Sequence, residues 1–279
     1  MERGEYQTMA AVELNHWWYG GMRAINAALL DSCYAGRRDL NILDAGCGTG
    51  GDGLFLRRYG TVVGMDLAAE AAELGWPRLP GRFSRGSVLA LPFADNSFDL
   101  VTSFDVLYHR GVPDEGLALR EVRRVLKPGG RLLIRLPAYN FLYSRHDAQV
   151  HTRRRYNASS AHQLLREAGF YPERWSYVLS LLFPLPLAQR LLERMRPAPS
   201  EPESAMGLPP KPLNQALRWP FALEAAWIGM GGRFPFGLSI VTLAHSGKHA
   251  VVHGSNQQQT LRNNGHYHGN LHNGSIARV

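Results

Sequence analysis

Cysteine is nearly missing from this chain. Two residues in 279, Cys33 and Cys47, give no disulfide framework and no metal-binding spacing. Lysine is scarce as well, so the net charge of +8 rests almost wholly on arginine. Charged residues make up only 19% against 45% hydrophobic, a balance that fits a globular protein with one sizeable core. Long apolar runs are absent. The most apolar stretch, from Val178 to Ala188, is interrupted by Pro184 and Pro186 and is too short to span a bilayer. Met1-Glu2-Arg3-Gly4-Glu5 leads into no apolar leader segment, and the expected location is cytoplasmic. No internal repeat is present. The basic balance admits an anionic substrate, nucleic acid or an anionic membrane surface. The arginines are spread through the chain instead of gathered in a stripe, which counts against nucleic acid.

Glycine is plentiful, and one cluster of it organises the rest. In Leu40-Asn41-Ile42-Leu43-Asp44-Ala45-Gly46-Cys47-Gly48-Thr49-Gly50-Gly51 a short apolar run ends in an acid, and glycines then recur at alternate positions. The pattern predicts a buried strand over 41–45, a tight turn and a helix near 52–58. Glycines suit a turn that needs unusual dihedrals and a ligand lying almost on the backbone. Gly46, Gly48 and Gly51 also satisfy the G-x-G-x-x-G fingerprint of nicotinamide enzymes, so the glycines alone leave two cofactors open. A second β-rich run, Thr61-Val62-Val63-Gly64-Met65, delivers Asp66 at its carboxyl end. A carboxylate there can accept from both ribose hydroxyls in either cofactor class.

Two further motifs follow, Leu91-Pro92-Phe93-Ala94-Asp95-Asn96-Ser97-Phe98-Asp99 and Leu126-Lys127-Pro128-Gly129-Gly130. With all four in this order, the chain resembles the class I S-adenosylmethionine-dependent methyltransferases. It is most similar to the small-molecule branch typified by ubiquinone- and menaquinone-biosynthesis methyltransferases. The resemblance covers residues 40–136 closely and 137–178 loosely. It implies an α/β fold: a Rossmann-like, doubly wound, seven-stranded and mostly parallel sheet with the last strand antiparallel, plus a Pro-rich helical insertion between the last two strands.

The resemblance also implies S-adenosylmethionine as cofactor. Asp44 would fix the glycine loop and face the methionine amino end, with the backbone of Gly46, Gly48 and Gly50 in close contact. Asp66 would take the ribose, Leu67 a face of adenine, Ser87 and Val88 the adenine edge, and Phe104 the end of the fourth strand. Ser87 departs from the family, which usually carries an acid there; a serine oxygen accepts the same bond without charge assistance. The motif order argues against a nicotinamide oxidoreductase. A non-catalytic member that binds S-adenosylmethionine or a partner protein is the other alternative. The Asn/Asp-Pro-Pro-aromatic motif of nucleic-acid amino-methylating enzymes is missing after the fourth strand, which reads Ser103-Phe104-Asp105-Val106-Leu107-Tyr108-His109.

Methyl transfer from a sulfonium is an in-line displacement that asks mainly for alignment in a dry pocket. A general base matters only for an acceptor that arrives protonated. His109 is the first candidate, since it follows strand four and titrates in the useful range; Asp105, Tyr108 and His151 come next. No metal site is expected. The acceptor is a small molecule, with aromatic or anionic character and peripheral membrane contact both compatible with the composition.

Residues 1–39 read as an N-terminal helical lid, with one amphipathic helix over 8–35 around His16-Trp17-Trp18-Tyr19. Residues 40–182 and 237–245 form the cofactor-binding domain. Within it strands are expected near 82–85, 99–102, 131–136 and 174–179, a helix over 114–126, and a last strand over 237–244. Ser160 with Gln163 suggests a capping box for a helix ending at Gly169. Arg153-Arg154-Arg155 reads as a solvated loop with one arginine reaching inward. Residues 183–236, carrying Trp219, Phe221, Trp227 and Phe234, are expected to cap the acceptor site, and residues 246–279 to form a disordered tail.

Overall fold

The computed structural model describes residues 3–195 and 207–247. Seven strands form one sheet: β1 (Leu40–Ala45), β2 (Gly60–Asp66), β3 (Phe83–Arg85), β4 (Phe98–Phe104), β5 (Leu126–Pro137), β6 (Phe170–Val178) and β7 (Ser239–Ser246). Their spatial order is β3-β2-β1-β4-β5-β7-β6. β1 to β5 pair in parallel, and β7 lies antiparallel between β5 and β6. This is the expected sheet. Because the order reverses between β1 and β4, their carboxyl ends open the crevice where such sheets take ligands.

The helices are α1 (Arg3–Val12), α2 (Trp17–Tyr34), α3 (Gly51–Leu56), α4 (Ala69–Gly75), α5 (Glu115–Val125), α6 (Arg145–Gln149), α7 (Ala158–Glu167), α8 (Pro184–Met195), α9 (Lys211–Ala216) and α10 (Arg218–Gly229). Successive strand residues face opposite ways. Leu43, Val101, Leu132 and Ile240 therefore join the core under α5 and α7, while Ile42, Leu100, Leu133 and Val241 join that under α2 and α10. Both faces are covered, so the strands read as nearly continuous apolar runs.

Several boundaries differ from the sequence reading, each for a local reason. The helix expected over 8–35 is two helices, because His16 takes a non-helical conformation and its Nδ1 accepts the Trp18 N–H at 3.2 Å. Ser160 is not the cap of α7. Asn157 is, accepting the Ser160 N–H at 2.8 Å while Ser160 Oγ accepts the Asn157 N–H at 3.1 Å. β4 runs on through Phe104, and β6 begins at Phe170, earlier than expected. β7 continues to Ser246, so the first residue assigned to the tail is sheet; the rest of that tail, from 248, lies outside the described residues.

The segment 183–236 divides. α8 borders the cavity described below, whereas α10 is core: Phe221 and Ile228 are 1% exposed and pack on α2. A side chain at Gly21 of α2 would put its Cβ 2.3 Å from the Phe221 ring. Glu224, also buried, accepts the N–H groups of Leu179 and Leu181 at 2.9 and 2.8 Å, tying α10 to the end of β6. Of the segment expected to cap the acceptor site, only its first helix borders the cavity among the described residues.

Candidate active site

A cavity of about 620 Å³ lies at the carboxyl ends of β1, β2, β4 and β5. That volume is in the range of roughly 300–1,000 Å³ occupied by small-molecule sites. Of the residues singled out from sequence, Asp44, Gly46, Gly48, Asp66, Leu67, Ser87, Val88, Phe104, Asp105, Tyr108 and His109 all line it. Gly50 does not; it caps α3 in a left-handed conformation, φ 84°. Gly46 has φ 84° too, and a Cβ there would meet Val106 Cγ2 at 2.2 Å, so only glycine keeps this turn closed over the cavity.

The turn is pinned to β2. The Gly46 N–H donates to the Met65 carbonyl at 2.7 Å, and Asp66 accepts the Gly48 N–H on Oδ2 at 2.9 Å and the Ala68 N–H on Oδ1 at 3.0 Å. Asp44 is 1% exposed; its Oδ1 accepts from Thr102 Oγ1 at 2.8 Å, and its Oδ2 is buried with no hydrogen-bond partner among the described residues. Burial, reinforced by the negative charge of Asp52, pushes the Asp44 carboxyl up to about 7. Ser87 Oγ is drawn into its own turn, accepting the Leu89 N–H at 3.2 Å.

The roof comes from the N-terminal helices. Tyr6 and Met9 of α1, Glu13, and His16, Trp17, Trp18 and Tyr19 line the cavity. Glu13 is 4% exposed and joins Arg78 and Thr49, while Arg78 Nη2 donates to the Ala10 carbonyl at 2.8 Å. That knot holds the end of α1 over the glycine turn.

The opposite half of the cavity is built by residues that follow β4 and β5, with α8. Ser144, His146, Val150, Pro186, Gln189 and Arg190 stand there. Asp105 takes φ 60° and binds Arg135, whose Nε donates to Asp105 Oδ2 at 2.8 Å. Burial raises the Tyr108 phenol well above its ordinary range and lowers the imidazoles of His109 and His146. His151 does not line the cavity; its ring stands edge-on to that of His109, 5.6 Å between centroids.

The arginine run is fully engaged. Arg155 pairs with Asp147 at 2.6 Å, both buried, and Arg153 and Arg154 converge with the Tyr156 hydroxyl on the buried Glu115. Arg155 is thus the one that reaches inward, but its neighbours are not solvated free charges.

Sequence reading missed Glu13, Arg135 and His146. Arg135 had a visible signal, a lone charge within Leu132-Leu133-Ile134-Arg135-Leu136. Glu13 and His146 had none, because each matters only through contacts distant in the chain.

Residues 43–134 match the family described as "Methyltransferase domain". Over those residues the chain carries a methyltransferase domain. The demethylmenaquinone methyltransferase of Lactiplantibacillus plantarum is 38% identical over 138 residues, 46% of this chain and 48% of that protein. The chain thus spans about half the length of the curated relatives it matches. Among solved structures, a SAM-dependent methyltransferase from Thermotoga maritima aligns with TM-score 0.55 and 18% identity over 87% of this chain and 95% of that one. A geranyl diphosphate C-methyltransferase from Streptomyces coelicolor, solved with S-adenosyl-L-homocysteine, aligns with TM-score 0.52 and 17% identity over 79% and 75%. At these identities the structural likeness speaks for the fold alone. The matched part of the methyltransferase domain runs from Leu43 in β1 to Ile134 in β5; the aromatic roof, α6 and α8 lie outside it.

Proposed function

We propose that the protein transfers the methyl group of S-adenosylmethionine to a small-molecule acceptor. One observation carries the reading: a single cavity joins the glycine turn, with Asp44 and Asp66 beside it, to an aromatic-walled space at the ends of β4 and β5. The residues fit the cofactor. The unpartnered Oδ2 of Asp44 suits an ammonium, Asp66 keeps lone pairs free for hydroxyls beyond its two backbone bonds, and Leu67 and Val88 offer apolar contact to a flat ring. Gly46 and Gly48 let a ligand lie on the backbone. Bound there, the sulfonium supplies an already activated methyl group. The protein then has to orient and to exclude water, and Trp17, Trp18, Tyr19 and Met9 close the space for both tasks.

An aromatic acceptor is part of this reading, supported by those rings and by a relative that acts on demethylmenaquinone. A cytoplasmic setting belongs to it too, supported by Cys33 and Cys47 standing free. Among the described residues no helix is long and apolar enough to cross a membrane. Peripheral contact with anionic lipid is supported by the exposed row Trp219, Leu223, Trp227 and Met230 near Lys211 and Arg218. Sedimentation with anionic vesicles, lost on Trp219→Ser/Trp227→Ser, tests that part.

Calorimetric titration tests the core of the proposal. S-adenosylhomocysteine should bind at micromolar strength and Asp66→Ala should weaken it by about 1–3 kcal/mol. Binding of NADH without S-adenosylhomocysteine would refute the reading. A screen for metabolites that gain a labelled methyl group would then find the acceptor.

A further inference from the structure

An arginine inside an apolar strand must find acceptors for five N–H donors. Arg135 is 3% exposed, lines the cavity, and finds partners along one edge only. Its Nε donates to Asp105 Oδ2 at 2.8 Å, and its Nη2 lies 2.6 Å from the same oxygen. The guanidinium is held between two rings, 4.9 Å from the centroid of Trp18 and 5.0 Å from that of Phe104. Nη1 is buried with no hydrogen-bond partner among the described residues. Burying a charged donor without an acceptor is costly, so a ligand atom able to accept there is strongly favoured.

Placement decides which ligand. Asp44 and Asp66 stand on β1 and β2, the half assigned to the cofactor. Arg135 stands on β5, with β4 between it and β1, which at about 4.8 Å per strand is roughly 10 Å from the Asp44 strand. Trp18 of the roof and Phe104 flank it, Asp105 and Tyr108 beyond β4 stand near it, and Asp52 of α3 faces it from the other side. Charge points the same way. Among the described residues the lining carries Glu13, Asp44, Asp52, Asp66 and Asp105, and its only other guanidinium is that of Arg190 on α8. In a wall so rich in carboxylates, an anion would be repelled unless it lay against an arginine with a donor to spare.

We propose that Arg135 is a specificity-determining residue of the acceptor site, its Nη1 edge holding an anionic oxygen of the acceptor. This rests on the reading of the cavity as a methyl-transfer site. Asp105 acts here as a positioning residue: it fixes the other edge of the guanidinium, and the two rings fix its plane.

The test uses the full chain saturated with S-adenosylhomocysteine, titrated with 2-naphthoate and with its neutral counterpart 2-naphthamide. The wild type should prefer the carboxylate by about tenfold or more, the size of one charge-assisted hydrogen bond. Arg135→Gln should abolish the preference, Arg135→Lys should keep part of it, and both should bind S-adenosylhomocysteine as the wild type does. Because Arg135→Gln leaves Asp105 unpaired, Arg135→Gln/Asp105→Asn removes both charges together as a second vehicle. A wild type that binds both probes equally, or neither, overturns the proposal, as does a preference that survives in the glutamine variants. So does weakened binding of S-adenosylhomocysteine with methylthioadenosine, which lacks the amino-acid end, unaffected; Arg135 would then serve the cofactor. Failure of the wild type to bind S-adenosylhomocysteine at all would instead bring down the methyltransferase reading.

Discussion

His109 accepts the backbone N–H of Gly111 on Nδ1 at 2.9 Å. A neutral imidazole has one accepting and one donating nitrogen, so the proton of His109 is on Nε2. That leaves it a donor to offer, the reverse of what a general base needs. Tyr108, raised by burial, and Asp105, committed to Arg135, are no freer. On the proposed reading, the residues named for catalysis from sequence line the acceptor half of the cavity without supplying a free base.

The tautomer is measurable. The ring-nitrogen shifts of His109 should report a protonated Nε2 at neutral pH, with a titration midpoint below the ordinary 6.5 because burial disfavours the charged ring. A midpoint above 6.5, or a proton on Nδ1, would restore His109 as a candidate base.

Asp44 sets a pH dependence with a definite sign. Its folded-state value is pushed up to about 7, far above the ordinary carboxylate range. Between those two values the ligand-free fold binds a proton that the unfolded chain does not, so this group's contribution to stability falls as pH rises from about 4 to 7. Cofactor binding should run oppositely, because an ammonium wants the ionised acid. Affinity for S-adenosylhomocysteine should climb by up to about tenfold per pH unit below 7 and level off above. Asp44→Asn should flatten that profile and weaken binding at pH 8. A wild-type affinity constant from pH 5.5 to 8 would remove Asp44 from the ammonium site.

Much of this was legible in sequence because it is local. The strand–glycine–helix turn, Asp66 at the end of β2 and the Pro128-Gly129 turn, where Gly129 takes φ 77°, follow from residues adjacent in the chain. What escaped depends on contacts between distant residues. Nothing near Glu13 announces Arg78, and nothing near Arg135 announces Trp18. The aromatic residues of 183–236 misled for the same reason: Phe221 and Trp219 are two residues apart on one helix, yet one is buried and the other exposed. The buried face packs where Gly21, far away in sequence, leaves room for the Phe221 ring.

The core role of α10 predicts the outcome of a truncation. Phe221 is 1% exposed, its ring 5.7 Å from that of Trp17. Phe221→Ala should cost about 3–5 kcal/mol in urea unfolding, as large-to-small core changes do. Replacing residues 185–232 by a short flexible linker should abolish cooperative unfolding. If that truncated chain kept its melting transition and bound S-adenosylhomocysteine normally, α10 would be an appendage.

Two acid–arginine sites hold the run Arg153–Arg155, and burial ranks them. Asp147 and Arg155 have side chains 3% and 4% exposed, and Arg155 also donates to the Ala138 carbonyl at 2.8 Å. Asp147→Ala leaves a guanidinium with little water to turn to, and breaking such a buried pair costs about 3–5 kcal/mol. Glu115 is as deeply buried, but the arginines it holds are not: their side chains are 35% and 45% exposed. Once Glu115 is removed those heads can swing into solvent, and the main loss is the acceptor of the Tyr156 hydroxyl, about 1–3 kcal/mol for an unsatisfied buried group. Urea midpoints with unchanged slopes should therefore place Asp147→Ala below Glu115→Ala, and Tyr156→Phe near the wild type. The opposite order would mean that Glu115, at the start of α5, organises the 152–156 segment more than its charge partners suggest.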